Sequence, residues 1–105
     1  MSYQEIFTAL ADPTRRQIFE SLVGAAKSVN ELAESQTVSR PAVSQHLKIL
    51  RTAGLVNMEP KGNHRMYLIK RDGLEELRQY LDRFWSDALS AYSAEITNRM
   101  QIKDK

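Results

Sequence analysis

Hydrogen-bonding and cationic side chains recur in residues 40–51 at spacings that suit the outer face of a helix. Val43, Leu47 and Leu50 follow the i, i+4, i+7 pattern of a buried stripe, which turns the remaining positions outward. Five of those outward positions carry polar or cationic groups and no acid: Arg40, Ser44, Gln45, Lys48 and Arg51. Because arginine can bond guanine through two hydrogen bonds and glutamine can bond adenine likewise, this face has the chemistry to read DNA bases.

The order of these side chains along the helix separates two predicted roles. An α-helix in the major groove brings its N-terminal residues closest to the base edges, so Arg40, Ser44 and Gln45 are predicted to contact bases. Lys48 and Arg51 lie further along and are predicted to contact phosphates, which adds affinity without sequence discrimination. A polar helix face is more often only solvated, so the helix alone leaves both interpretations open.

A second basic cluster follows in a predicted β-hairpin. Residues 55–59 and 64–69 are typical of strands, and Gly62 lies between them in turn chemistry. Arginine favours narrow minor grooves, so the hairpin tip is predicted to contact a minor groove or its phosphates. For Arg65 the alternative is an ordinary exposed strand residue, and for His64 a surface histidine without a special role is favoured. The basic side chains of the tip are Lys61, His64 and Arg65.

The positive charge of the chain is concentrated in its middle third. Residues 40–71 hold seven Lys or Arg against one acid, a net of +6, whereas residues 1–39 and 72–105 each carry a net of −2. A concentrated basic segment indicates a surface that faces a polyanion. Charge alone leaves a solvated basic face as an equal alternative, but the helix face and the hairpin together favour nucleic acid.

The composition argues against other function classes. Without cysteine the chain has no disulfide, iron–sulfur or thiolate zinc chemistry, and His46 and His64 are its only histidines. Ser44 and His46 are two residues apart on a helix, so they point in different directions and do not form a hydrolase pair. With no glycine-rich phosphate loop either, we expect no enzyme activity, no cofactor and no metal site.

The sequence also bears on location. No segment approaches the roughly 18 apolar residues that a membrane helix needs. Residues 1–5 lack the basic start and apolar run of a signal peptide. We therefore expect a cytoplasmic protein.

The helices that position the basic face follow from capping residues and apolar spacing. Asp12 and Ser39 are predicted to cap the second and fourth helices, Asn30 to cap the third, and Gly24 to end the second. Residues 27–29 are too short for more than a β-bridge or a strand stub. The predicted helices of this part are 3–11, 13–23, 31–35 and 40–53.

Two further groups near the basic face leave alternatives open. Arg15 and Arg16 open the second helix, where they would contact phosphate or, equally, pair with a nearby carboxylate. His46 follows Gln45 and is either a DNA contact or a packed, hydrogen-bonded residue, and the structural role is favoured.

Residues 72–100 predict one long helix. Its first residues, 72–75, resemble a capping box in which Asp72 replaces the usual serine or threonine. About 28 residues span some 40 Å, which is longer than a domain of this size covers alone. The apolar stripe of this helix is therefore core, ligand pocket or dimer seam, and its length favours the seam. Its members recur every three or four residues: Leu74, Leu77, Leu81, Phe84, Ala88, Tyr92 and Ile96, widened by Trp85 and Leu89.

A homodimer through the last helix is therefore predicted, and the first helix is left open as a second part of its seam. The residues assigned to its seam are Ile6, Phe7, Leu81, Phe84, Trp85, Ala88 and Tyr92.

The order helix, helix, strand stub, short helix, helix, hairpin, long helix predicts a mainly α fold with a small β-hairpin, a winged helix-turn-helix in the α+β class. One domain, 1–105, divides into N-terminal helices (3–27), helix-turn-helix (30–54), wing (55–70) and dimerisation helix (72–100).

Four runs together resemble the ArsR/SmtB-type winged-helix repressors, over roughly residues 3 to 70. The runs are 9–18 (ALADPTRRQI), 29–33 (VNELA), 39–50 (SRPAVSQHLKIL) and 53–56 (AGLV). The resemblance implies a homodimer formed by the first and last helices, which binds an inverted repeat in promoter DNA and represses transcription, often of its own operon. It places the DNA-reading positions on Arg40, Pro41, Ser44 and Gln45, with the wing at 61–65.

The chain departs from the metal-sensing members of that family. Residues 30–33 hold no thiol where many relatives have a cysteine pair, and the last helix has Asp82 and Asp87 but no histidine. Two carboxylates alone make a poor transition-metal site, so no metal is predicted.

A switch of the same fold gated by a small molecule at the aromatic seam is an alternative. Another is a protein-interaction module that has lost DNA binding, against which the +6 segment argues.

Overall fold

The computed structural model describes the backbone of residues 3–103 and the side chains of residues 3–100. Five helices and a three-stranded antiparallel sheet follow one another in the predicted order, which confirms the mainly helical class. Their bounds are α1 Tyr3–Ala11, α2 Pro13–Ser21, β1 Lys27–Ser28, α3 Val29–Gln36, α4 Arg40–Thr52, β2 Val56–Lys61, β3 His64–Ile69 and α5 Arg71–Lys103. None of the helices within 3–103 has the length and apolarity to cross a membrane.

Two of the predicted helix caps are present. Asp12 Oδ1 accepts a hydrogen bond of 2.9 Å from the Arg15 backbone N–H, and Ser39 Oγ accepts one of 3.3 Å from the Ala42 N–H. Each side chain satisfies an amide that the first turn leaves without a helical partner. The bond from Arg15 also holds the pKa of Asp12 below its ordinary value, because it stabilises the ionised carboxylate.

The predicted cap of α3 is wrong. Ser28, not Asn30, caps this helix, because Glu31 completes a capping box with it. Ser28 Oγ accepts from the Glu31 N–H at 3.2 Å, and Glu31 Oε1 accepts from the Ser28 N–H at 3.1 Å. Hydrogen bonding to the Glu31 carboxylate, from the Ser28 backbone N–H first and from the Ser28 hydroxyl second, lowers the pKa of Glu31. The helix therefore begins at Val29, earlier than predicted, and ends before Thr37, which is left-handed at φ 55°.

The sheet places β3 between β1 and β2. Lys61 pairs with His64 across a two-residue turn, where Gly62 takes the positive φ of 61° that a tight hairpin requires. Lys27 pairs with Tyr67, so the predicted strand stub ties the end of the second helix to the hairpin. The hairpin is thus tied to the rest of the fold through the β1 edge of β3, and the residues of its tip are exposed.

The core draws on the first four helices and on the hairpin, and Leu74 and Leu77 of the last helix pack against it. The stripe of α4 predicted from its spacing is buried, as are residues contributed by the elements around it. The largest fully buried side chains are Ile6, Ile18, Leu32, Leu47, Leu50, Leu55, Val43 and Val56. The exposed, polar face of α4 therefore lies on a helix whose opposite face is buried in the core.

The last helix begins one residue earlier than predicted, at Arg71. Asp72 therefore lies inside its first turn and not at the cap, so the capping box proposed for it is wrong. Gly73 is buried, and a Cβ built on it would overlap the carbonyl oxygen of Gly54. The start of α5 thus passes directly over the backbone that follows α4, and only glycine allows that approach.

Replacing Gly73 with alanine is expected to lower the free energy of unfolding by about 1–3 kcal/mol, since the neighbour is backbone and cannot rotate away. Urea unfolding followed by circular dichroism measures this. In an unobstructed helix the same change stabilises by roughly 0.5–1 kcal/mol, so an increase in stability would contradict the close approach. Ser86→Ala, at an exposed position of the same helix, is the control and is expected to change little.

Candidate nucleic-acid interface

The outer face of α4 is open to solvent. Its side chains radiate from a helix whose other face, through Val43, Leu47 and Leu50, is fully buried. All the side chains predicted to contact DNA from this helix are exposed: Arg40, Pro41, Ser44, Gln45, Lys48 and Arg51. The structure thus brings the predicted base-contacting and phosphate-contacting groups onto one surface.

Arg40, in the first turn of α4, bonds Asn30, the residue that the sequence had predicted to cap α3. Its Nη1 donates to Asn30 Oδ1 at 3.2 Å, so the guanidinium lies beside α3. Arginine has five N–H donors, and this bond uses one of them. Because Ser28 caps α3, Asn30 lies in the first turn of that helix. Its side-chain amide bonds Arg40 of α4 and does not cap α3.

The wing tip joins this surface through the same asparagine. Lys61, His64 and Arg65 are exposed around the turn. A cleft of about 230 Å³ separates the tip from the start of α3, and its lining includes His64, Arg65 and Asn30. Asn30 also lines the cleft beside Arg40. The wing tip and the start of α4 are therefore neighbours across the first turn of α3.

The two arginines of α2 bond the end of α1, and the phosphate contact foreseen for them stays a prediction. The Arg15 side chain donates to the carbonyl oxygens of Ala9 and Thr8, and Arg16 Nη1 donates to that of Leu10 at 2.9 Å. They satisfy carbonyls that the end of α1 leaves without helical partners.

His46, half-buried on α4, has its Nδ1 3.4 Å from Arg15 Nη1, which agrees with the structural role favoured for it.

The predicted dimer seam needs one correction. Ile6 has no exposed surface and belongs to the core of the chain, so its side chain does not reach a second copy. One residue further along α1, Phe7 is turned by about 100° and packs against α5, where its ring is 5.3 Å from that of Tyr80. Tyr3 stacks on Tyr80 with ring centroids 4.4 Å apart. Both tyrosines were missed by the sequence reasoning.

Beyond that aromatic cluster α5 runs free of the rest of the chain. It has 33 residues, about 50 Å, and the molecule is 74 Å long but only 25 by 22 Å across. Its apolar stripe stays in solvent: Phe84 is 53% exposed, Trp85 59% and Tyr92 63%. Leu81 is 38% exposed, and Ala88 is exposed as well.

Comparison with known proteins finds relatives whose similarity includes the helix-turn-helix. Residues 12–58 match the family described as bacterial regulatory protein, arsR family. The chain is 54% identical over 85 residues to the HTH-type transcriptional regulator Rv2034 of Mycobacterium tuberculosis, covering 81% of this chain and 79% of that protein. It is 34% identical over 71 residues to the transcriptional repressor SdpR of Bacillus subtilis, covering 68% and 79%.

A solved structure is similar throughout the fold. The ArsR-like transcriptional regulator from Rhodococcus sp. RHA1 superposes with a TM-score of 0.76 at 31% identity, covering 87% of this chain and 86% of that one. The similarity thus includes the helix-turn-helix and the wing that carry the exposed basic groups.

Proposed function

Because this chain belongs to the ArsR family of DNA-binding transcriptional regulators, we propose that it acts as a homodimeric repressor on an inverted repeat in promoter DNA. The observation that carries the proposal is the single exposed surface on which the outer face of α4 and the basic wing tip meet around Asn30. The name of the Bacillus relative, a transcriptional repressor, supports repression. Repression of the regulator's own operon extends the same proposal.

Each group on this surface has a place on the duplex. Arg40 and Gln45 have the donors and acceptors for guanine and adenine, and Ser44 can bond either base. Pro41 offers an apolar contact to a thymine methyl group. Groups further from the start of α4, and those on the wing, contact the phosphates or the minor groove: Lys48, Arg51, Lys61, His64 and Arg65.

The dimer follows from the free part of α5. Large apolar side chains in a continuous exposed stripe mark an interaction surface. A second copy, related by a two-fold axis, presents the same stripe and covers both. Phe7 lies where this stripe meets α1. Two recognition helices related in this way read two inverted half-sites.

Selection of binding sites from random duplex DNA tests the proposal. We expect purified protein at near-physiological salt to enrich an inverted repeat whose half-sites are centred one helical turn apart, about 34–36 Å. Enrichment without a repeat, with affinity that collapses steeply as salt rises, would indicate electrostatic binding only. No enrichment would favour a protein-interaction module instead.

A further inference from the structure

One guanidinium, that of Arg15, joins three helices. It donates to the carbonyl oxygens of Ala9 and Thr8 at the end of α1, the latter at 3.3 Å. Its Nη1 is 3.4 Å from the Nδ1 of His46 in the middle of α4. Its backbone N–H is bound by Asp12, the cap of α2. The half-buried Arg15 therefore ties the recognition helix to the helix that carries Phe7 of the proposed seam.

The bond between these two side chains depends on the charge of the imidazole. Arginine is only a donor, so Nδ1 of His46 must be the acceptor and must carry no proton. A second proton on the ring removes the acceptor and places two cations side by side. Histidine is the side chain that gains this proton between about pH 5 and 8.

Other charged groups near the contact between Arg15 and His46 also affect the protonation of the imidazole. Asp12 is close enough to His46 for their charges to interact: the pKa of Asp12 is lowered mainly by the bond from the Arg15 backbone and, to a smaller extent, by the charges of His46 and Arg15. A protonated imidazole is therefore repelled by Arg15 and attracted by Asp12. From α1 the groups at this contact are backbone carbonyls. Glu5 and Lys48 line a groove between α1 and α4.

We propose that Arg15 and His46 form a positioning pair that holds α4 against α1 only while His46 is neutral. This inference rests on the proposed function, because it predicts that affinity for the operator falls as the pH falls. Gln45 precedes His46 and Leu47 follows it into the core, so a shift at this point moves the base-contacting face. In this proposal both act on DNA binding through the position of α4.

The second histidine provides the opposing control. His64 is exposed on the wing tip, where added positive charge strengthens contact with phosphate. Its protonation therefore raises affinity for any duplex, whereas protonation of His46 lowers affinity for the operator selectively. The ratio of operator affinity to scrambled-duplex affinity separates these two effects.

The experiment measures that ratio by fluorescence anisotropy at constant ionic strength from about pH 8 to pH 5, the full range in which histidine side chains gain the second proton. The probes are the duplex enriched from the random pool and a scrambled duplex of the same composition. We expect the ratio for the unaltered chain to fall at least about fivefold. His46→Gln keeps an acceptor for Arg15 without titrating, so it is expected to give a flat ratio, while His64→Gln retains the fall.

A flat ratio for the unaltered chain, or an undiminished fall in His46→Gln, would overturn the proposal. Absence of any selected duplex at about pH 8 would instead contradict the proposed function. NMR of the free protein tests the pair independently of DNA. The amide signals of Ala9 and Gln45 are expected to shift together with pH in the unaltered chain but not in His46→Gln, and unchanged signals in both would also overturn it.

Discussion

Alanine at both Arg40 and Gln45 is expected to lower affinity for the selected operator at least about 30-fold. Each well-placed base contact contributes about 1–3 kcal/mol, and a dimer on an inverted repeat loses every contact twice. A loss of at least about 2 kcal/mol follows even if only one of the two side chains reads a base. Both side chains are exposed, so the fold is expected to persist. Binding to the operator and to a scrambled duplex measures the effect.

Lys48→Ala is the matched control because Lys48 lies on the same exposed face but further along α4. As a phosphate contact it is expected to weaken binding to both duplexes equally and to reduce the salt dependence by about one counterion per contact. If the double variant also weakened both duplexes equally, Arg40 and Gln45 would be phosphate contacts, and the base-reading face would lie elsewhere.

Structural features that depend on residues three or four positions apart could be predicted from the sequence. The stripe of α4 and its Ser39 cap depend on spacings of three or four residues, which the sequence displays directly. The error at α3 was of the same local kind. Ser28 and Asn30 are both able to cap, and Glu31, three residues after Ser28, decides between them through the capping box. That signal was present in the sequence.

The remaining errors depend on packing between distant segments. Ile6 and Phe7 are both apolar, and spacing alone does not say which faces the core, because Tyr80 of the facing helix lies far along the chain. For Arg15 the sequence offered a phosphate or a carboxylate as partner, and the phosphate contact stays a prediction. The sequence did not indicate the partners seen in the structure, which are backbone carbonyls of α1 and the imidazole of His46, 31 residues away.

Asn30 shows how such a packing contact alters the reading of a binding surface. In the sequence it belongs to the first helix of the helix-turn-helix, apart from both basic clusters. In the structure it bonds Arg40 and lines the cleft beside Arg65. The first turn of α3 is therefore part of the surface proposed to bind DNA, although it contributes no cation.

Glutamate at both Trp85 and Tyr92 is expected to convert the dimer into a monomer and to lower operator affinity by about 10²–10⁴-fold. A dimer binds its second half-site intramolecularly, and a monomer loses that gain in effective concentration. Trp85 and Tyr92 are mostly exposed in the single chain, and the core lies elsewhere, so the monomer is expected to keep its helix content. Sedimentation equilibrium, circular dichroism and operator binding measure the three quantities.

Ser90→Glu is the control, since Ser90 is exposed roughly half a turn around α5 from these residues, away from the stripe. It adds the same charge to the same helix and is expected to leave dimerisation unchanged. A double variant that stayed dimeric would move the seam to another surface. A monomer that bound the inverted repeat as tightly as the unaltered chain would separate dimerisation from DNA recognition, because the two half-sites would then be read without the connection through α5.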